Sequence, residues 1–328
     1  MKKLNKVTDL FNLKDKQSEL NYPNIVIDGA DNRLYVDGIQ IAGNSDELSK
    51  RCNLIIEDFF NTVFEHLKEK DSLKVKKEVK KLLDQSKEKN SLRLGKSEIS
   101  PGRLAEGKGC SQEMLYKLFT RVEIRTLVES GVIQKPMDTV LFIKGFGEDR
   151  MSDLLVSLIF KELVEFTNGQ AAKAPNKPKI QENVKGNFWN HITHQWETFT
   201  YNQILDLQNR PLILVPKNFV TDKYVYRVDR YISSCLLVYE KEIRKQENPD
   251  YKCKNIKELQ KELQNSMGKI GTEFIISYTL DHLEGNLVER FRQNNEHNSK
   301  GTAYRGKLTD DELTAIIEAP YIDVDNIG

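Results

Sequence analysis

Apolar residues recur at three- and four-residue intervals from Leu54 through Ile55, Phe59, Phe60, Val63 and Phe64 to Leu67, the spacing of one face of an α-helix. Asn44-Ser45-Asp46 just before it supplies side chains suited to capping a helix N-terminus. Residues 71 to 89 predict a second helix with a narrower stripe, Leu73, Val75, Val79, Leu82 and Leu83, among lysines at 74, 76, 77, 80, 81, 87 and 89. Ser111 is placed to cap a third helix through about Glu129. A continuous apolar run, MDTVLFIKGFG, then reads as a buried strand, and DRMSDLLVSLIFKELVEF as a helix.

Alternation of period two is weaker and local. Ile25 to Ile27 and Leu34 to Val36 flank a Gly-Ala-Asp-Asn turn, which predicts a β-hairpin over 24 to 41. RPLILVPK (210 to 217) predicts another strand, and VYRVDRYISSCLLVYEKEIRK a helix. Residues 255 to 293 predict two helices, or one interrupted at Gly268 and Gly271, and TDDELTAIIEA a short capped helix. Residues 168 to 187 are rich in Asn, Lys, Pro and Gly without periodicity and read as an exposed loop or linker.

These elements define an α/β or α+β fold, helix-rich, with a small mixed sheet and an N-terminal β-hairpin. The organisation expected is an N-terminal hairpin and helical region over 1–92, a basic Gly-rich loop over 93–110, and an α/β core with C-terminal helices over 111–328. The 328 residues suffice for a sizeable core without staples. The four cysteines (52, 110, 235, 253) form no CxxC pair, so buried reduced thiols are expected rather than a disulfide framework or a cysteine zinc site. The basic N-terminus has no apolar stretch after it, and no apolar run is long enough for a membrane span, so a cytoplasmic protein with no membrane partner is expected.

A net charge of +1 removes the general argument for nucleic-acid binding and leaves only local patches. One is the lysine-rich helix from Lys74 to Lys89, which reads first as a solvated surface helix and second as a nucleic-acid contact. A second is the loop with Lys96, Arg103 and Lys108, whose Gly-Lys-Ser triplet lacks the glycine and strand of a P-loop. A third is KYVYRVDRYISS, where Arg227 and Arg230 are interleaved with Tyr224, Tyr226 and Tyr231, a composition shared by nucleic-acid grooves and protein interfaces.

The junction VLFIKGFGEDRMSDLLVSLI concentrates the candidate chemistry. A strand end leading into a Gly-rich turn would bring Glu148, Asp149 and Asp153 around a hard divalent cation such as Mg²⁺, which needs carboxylate oxygens and activates water for phosphodiester cleavage. The same acids also suit a plain helix start, where negative side chains answer the helix dipole.

This junction resembles the first strand and helix of a Toprim domain, with Lys144 standing where that family has its catalytic glutamate and with Asp323 and Asp325 as the spelling of its later Asp-x-Asp. Asp149 and Asp153 with Lys217 also resemble the PD-(D/E)XK nucleases; Val215 replaces the acid two positions before that family's lysine. The resemblance implies that Asp149 and Asp153 hold metal, that Glu148 assists, and that Lys217 supports the attacking water. The whole pattern loosely resembles uncharacterised proteins encoded beside bacterial antiviral systems.

His191 and His194 in WNHITHQW would share a helix face, but no third soft ligand follows them, so packing is favoured over zinc; Trp189, Trp196, Phe199 and Tyr201 suit either packing or base stacking. Two functions are therefore expected as alternatives. One is a metal-dependent nuclease-like protein of a bacterial antiviral defence system, acting on or binding nucleic acid. The other is a non-catalytic adaptor or sensor binding a protein or nucleic-acid partner.

Overall fold

The computed structural model describes residues 4–29, 31–70, 72–84, 90–95, 116–117, 119–252, 255–268, 270–297 and 306–322. Helices dominate: α1 (Val7–Phe11), α2 (Gly38–Gly43), α3 (Glu47–Leu67), α4 (Ser72–Leu83), α5 (Val122–Glu129), α6 (Thr139–Phe142), α7 (Glu148–Leu158), α8 (Phe160–Lys173), α9 (Val228–Tyr231), α10 (Leu237–Glu247), α11 (Ile256–Met267), α12 (Thr272–Asp281), α13 (Leu287–Asn295) and α14 (Asp310–Ile322). Among the described residues two antiparallel two-stranded sheets complete a helix-rich α+β fold. β1 (Tyr35–Val36) pairs with β4 (Val220–Thr221), and β2 (Ile180–Asn190) with β3 (Gln195–Ile204).

The central helix α3 forms as its periodicity predicts. Asp46 caps it by accepting from the Ser49 N–H at 3.0 Å. Its buried face carries Ile55, Ile56, Phe59, Phe60, Val63, Phe64 and Leu67, while Leu54 points outward and is 51% exposed. Each of these aromatic side chains contributes about 1.5–3 kcal/mol through removal from water. Buried hydrophobic side chains form one cluster from Val7 to Ile317, so the C-terminal helices share the core of the N-terminal ones.

In the N-terminal hairpin region, the Asn32 side chain accepts from the Val26 N–H and donates back to the Val26 carbonyl, closing the reversal. Tyr35 and Val36 then take their strand partner from Val220 and Thr221.

Three segments differ from expectation. The run 137–147 is not a strand: Pro136–Asp138 is a 3₁₀ turn leading into α6, with Val140, Leu141, Phe142 and Ile143 all buried. A short all-apolar stretch has no period to separate strand from helix, and the Asp138 carboxylate, which accepts from the Gln134 and Lys135 N–H groups, sets the helical turn. The segment at 210–217 is extended and buried, yet it finds hydrogen-bond partners piecemeal: Leu212 on Ile204, Ile213 on Ser91, Leu214 on Thr167 and Lys217 on Asn21. Of residues 168–187, expected in a loop, 168–173 end α8 and 180–187 form most of β2. Its polar exposed side chains hide the alternation, and a register shift between Gln181 and Val184, with Asn183 at φ 58°, breaks it further.

Candidate nucleic-acid interface

The acidic turn opens α7, where Glu148 and Asp149 occupy the first helical turn beneath Gly147, which offers no side-chain cap. Their charge is placed to answer the helix dipole. β1 is bound to this helix through the Val36 N–H, which donates to Ser152 Oγ at 2.9 Å. A Cβ on Gly95 would lie 3.0 Å from Asp149 Oδ1, so the chain at 93–95 runs against that carboxylate.

Sequence reasoning missed Asp37 here. It caps α2 by accepting from the Ile39 N–H, is fully buried, and leaves Oδ2 without a hydrogen-bond partner. Burial, reinforced by the neighbouring Glu148 charge, pushes its pKa up to about 7. Tyr224, buried beside it, donates to the Val36 carbonyl, and burial together with Asp37, Glu148 and Asp153 raises its pKa.

Lys217 stands elsewhere, with Nζ 2.8 Å from Asp310 Oδ1 at the start of α14. Among the described residues no group of three or more His, Cys, Asp or Glu side chains is arranged to hold a metal ion. Lys96, Arg103, Lys108, Asp323 and Asp325 lie outside the described residues. Arg227 is folded onto Asp229 and the Tyr224 carbonyl, and Arg230 donates to Asn295 Oδ1 at 2.8 Å, so both arginines serve internal contacts.

A second constellation gathers at the β2–β3 hairpin. Its turn places His191 and His194 in a loop rather than on a helix, with His194 in the left-handed region at φ 52°. Asn190 shapes that turn, accepting from the Ile192 N–H at 2.9 Å and donating to Glu197, which Thr193 also reaches. Trp189 and Trp196 are cross-strand partners and pack edge-on against Phe59 of α3 at 5.0 and 6.0 Å. On the opposite face Phe199 and Tyr201 pack against Phe160; a Cβ on Gly186 would lie 3.0–3.1 Å from all three rings.

The Trp face is tied to its neighbours by polar contacts as well. Trp196 Nε1 donates to the Leu82 carbonyl at 2.7 Å, joining the hairpin to α4. Trp189 Nε1 donates to Asp58 Oδ2 at 2.7 Å, and the other oxygen of Asp58 lies 2.8 Å from His194 Nδ1. On α3, His66 Nδ1 is 3.0 Å from Glu69 Oε1. Glu69 also pairs with Lys74 at 2.6 Å, and the lysine and His66 contacts together hold its pKa below the usual carboxylate range. His66, His194, Glu78, Lys81 and Trp196 line one pocket of about 350 Å³ between α3, α4 and the hairpin. Lys74, Lys76, Lys77, Lys80 and Lys81 are exposed along α4, whereas Val75, Val79, Leu82 and Leu83 are buried.

Two other cavities are internally compensated. The larger, about 580 Å³ between α2, α3 and α13, sets Lys135 against Glu57 and Arg292 against both Glu289 and the buried Asp138. A groove of about 490 Å³ beneath the hairpin holds Arg93, Lys185 and Arg210, two of which converge on the buried Asp206 carboxylate. Burial opposes that charge, yet the Arg210 contacts keep the Asp206 pKa low.

Fold and pocket together describe a helix-rich α+β protein carrying an aromatic hairpin against a lysine-faced helix. The chain belongs to the family described as Domain of unknown function (DUF8370), which matches residues 12–227 and therefore includes α3, α4, the hairpin and the acidic turn. No curated protein and no solved structure matches it.

Proposed function

We propose that this protein binds single-stranded nucleic acid across α4 and the Trp face of the β2–β3 hairpin. The observation that carries this reading is the union of five exposed α4 lysines with a pocket containing Trp196, Lys81 and two histidines. Lysines at helical spacing track a phosphate backbone, and a half-buried indole beside them offers a stacking surface for a base. Over Ser72–Leu83 the charge is +4, from five lysines and Glu78, in a chain whose total is +1. The field is therefore local, as a binding face requires. The expected Mg²⁺ centre at Glu148, Asp149 and Asp153 is not needed for this reading, which keeps the nucleic-acid partner and moves it to another surface.

Fluorescence anisotropy with a labelled single strand tests it. Binding should weaken steeply with salt, and Lys76→Glu/Lys77→Glu/Lys80→Glu should abolish it while leaving the thermal midpoint nearly unchanged. Affinity insensitive to salt, or equal in the triple variant, contradicts the proposal.

A further inference from the structure

From the two carboxylate-held histidines we infer that the α3–α4–hairpin pocket cleaves RNA by metal-independent transesterification; this rests on the nucleic-acid reading above. In each ring Nδ1 is engaged by a carboxylate, His66 by Glu69 at 3.0 Å and His194 by Asp58 at 2.8 Å. A carboxylate at Nδ1 fixes the ring's orientation and tautomer and leaves Nε2 as the nitrogen that exchanges a proton with a substrate. Asp58 is itself held by the Trp189 indole at 2.7 Å, so the carboxylate that orients the solvent-facing His194 is tied to the aromatic core. Lys81 lines the same pocket and supplies a cation for charge developing on a phosphorane. Two imidazoles and an ammonium around a cavity form a complete acid–base set for a phosphodiester carrying its own nucleophile.

The step balances without metal, water or oxidant. Nε2 of one imidazole takes the proton of the ribose 2′-hydroxyl, O2′ forms a bond to phosphorus, and the P–O5′ bond breaks. The leaving O5′ receives a proton from Nε2 of the other, protonated imidazole. The products are a 2′,3′-cyclic phosphate and a 5′-hydroxyl. A deoxyribose strand lacks the nucleophile, so it binds without being cut. His194 at φ 52° occupies a conformation that Asn tolerates, so His194→Asn retains the turn.

The test is incubation of the full chain with a labelled single-stranded RNA, and with the same sequence as DNA, in EDTA, while the affinity for the DNA is measured in parallel. The expected result is RNA fragments ending in 2′,3′-cyclic phosphate, DNA that is bound but intact, and rates lowered about 100-fold or more in His66→Gln and in His194→Asn. RNA that is bound but stays intact overturns the cleavage proposal and leaves the binding reading standing. Failure to bind either strand overturns both, and cleavage that persists in both histidine variants assigns the activity to something other than this pocket.

Discussion

At the head of α7 two acids share a helix start, and at the hairpin two histidines share a pocket; both regions concentrate ionisable side chains, but their commitments differ. Glu148 and Asp149 face a helix dipole, a neighbouring carboxylate at Asp37 and the chain at Gly95, with the lysine assigned to them by sequence resemblance bound to Asp310 instead. His66 and His194 have one nitrogen each committed to a carboxylate and share a cavity with Lys81. A carboxylate buried beside another charge, as Asp37 is beside Glu148, is raised in pKa and costs stability when ionised, whereas imidazoles that line a cavity are placed for proton transfer.

The sharpest way to break this comparison is to remove the histidines. His66→Gln and His194→Asn should each lower RNA cleavage by about 10²–10⁴-fold, whereas Asp149→Ala and Asp153→Ala should change it by less than about twofold, the ordinary range for a residue outside the reacting centre. The reverse pattern returns the chemistry to the acidic turn.

Asp37 provides the next largest effect, on stability. Its folded pKa of about 7 lies above the ordinary carboxyl value of 3.8, so the protonated form is favoured by folding. Its contribution is fully present below about pH 4 and is lost as pH rises through 7. Asp37→Asn keeps an acceptor for the Ile39 N–H and carries no charge, so its urea midpoint should exceed that of wild type at pH 8, by a free-energy difference of up to a few kcal/mol, and match it more closely at pH 4. Mg²⁺ that stabilised wild type at pH 8 but not this variant would reveal a cation centre at the turn and break the comparison from the other side.

Asp58 sharpens it as a positioning residue. Asp58→Asn should cost about 10–100-fold in cleavage and displace one limb of the pH–rate profile. Trp189→Phe, which removes the indole N–H held by the same carboxylate together with part of a ring buried against Phe59, should lower stability but leave that profile in place. Displacement of the profile by both would make Asp58 merely structural. The smallest effect is expected at Gly186, far along the ribbon. Gly186→Ala should destabilise the fold by about 1–3 kcal/mol through contact with Phe160, Phe199 and Tyr201, with little change in the affinity of the folded protein for a single strand.

What was legible in the sequence follows periodicity. Helix α3 is readable because its apolar face repeats over 21 residues and Asp46 caps it, and α4 because Val75, Val79 and Leu82 repeat beneath exposed lysines. The strand expected at 137–147 failed because full burial erases period, leaving Asp138 to decide the local fold. β2 was hidden because its outward side chains are Gln, Glu, Asn and Lys, and only pairing with β3 makes it a strand. The histidine pocket was not legible at all: His66 and His194 are 128 positions apart, and the carboxylates that orient them are assigned by tertiary contacts. In the sequence His194 pairs with His191, a pairing that a helix would create and a hairpin turn does not.

The comparison of the two regions rests on where a bound strand lies. Photo-cross-linking of a 5-bromouridine-substituted single strand to the full chain, followed by mass spectrometry of the adducts, reads that location directly. Adducts confined to peptides of α4 and of the hairpin around Trp189 to Trp196 are the predicted result. Adducts on residues 144–153 with none on α4 or the hairpin would contradict the account.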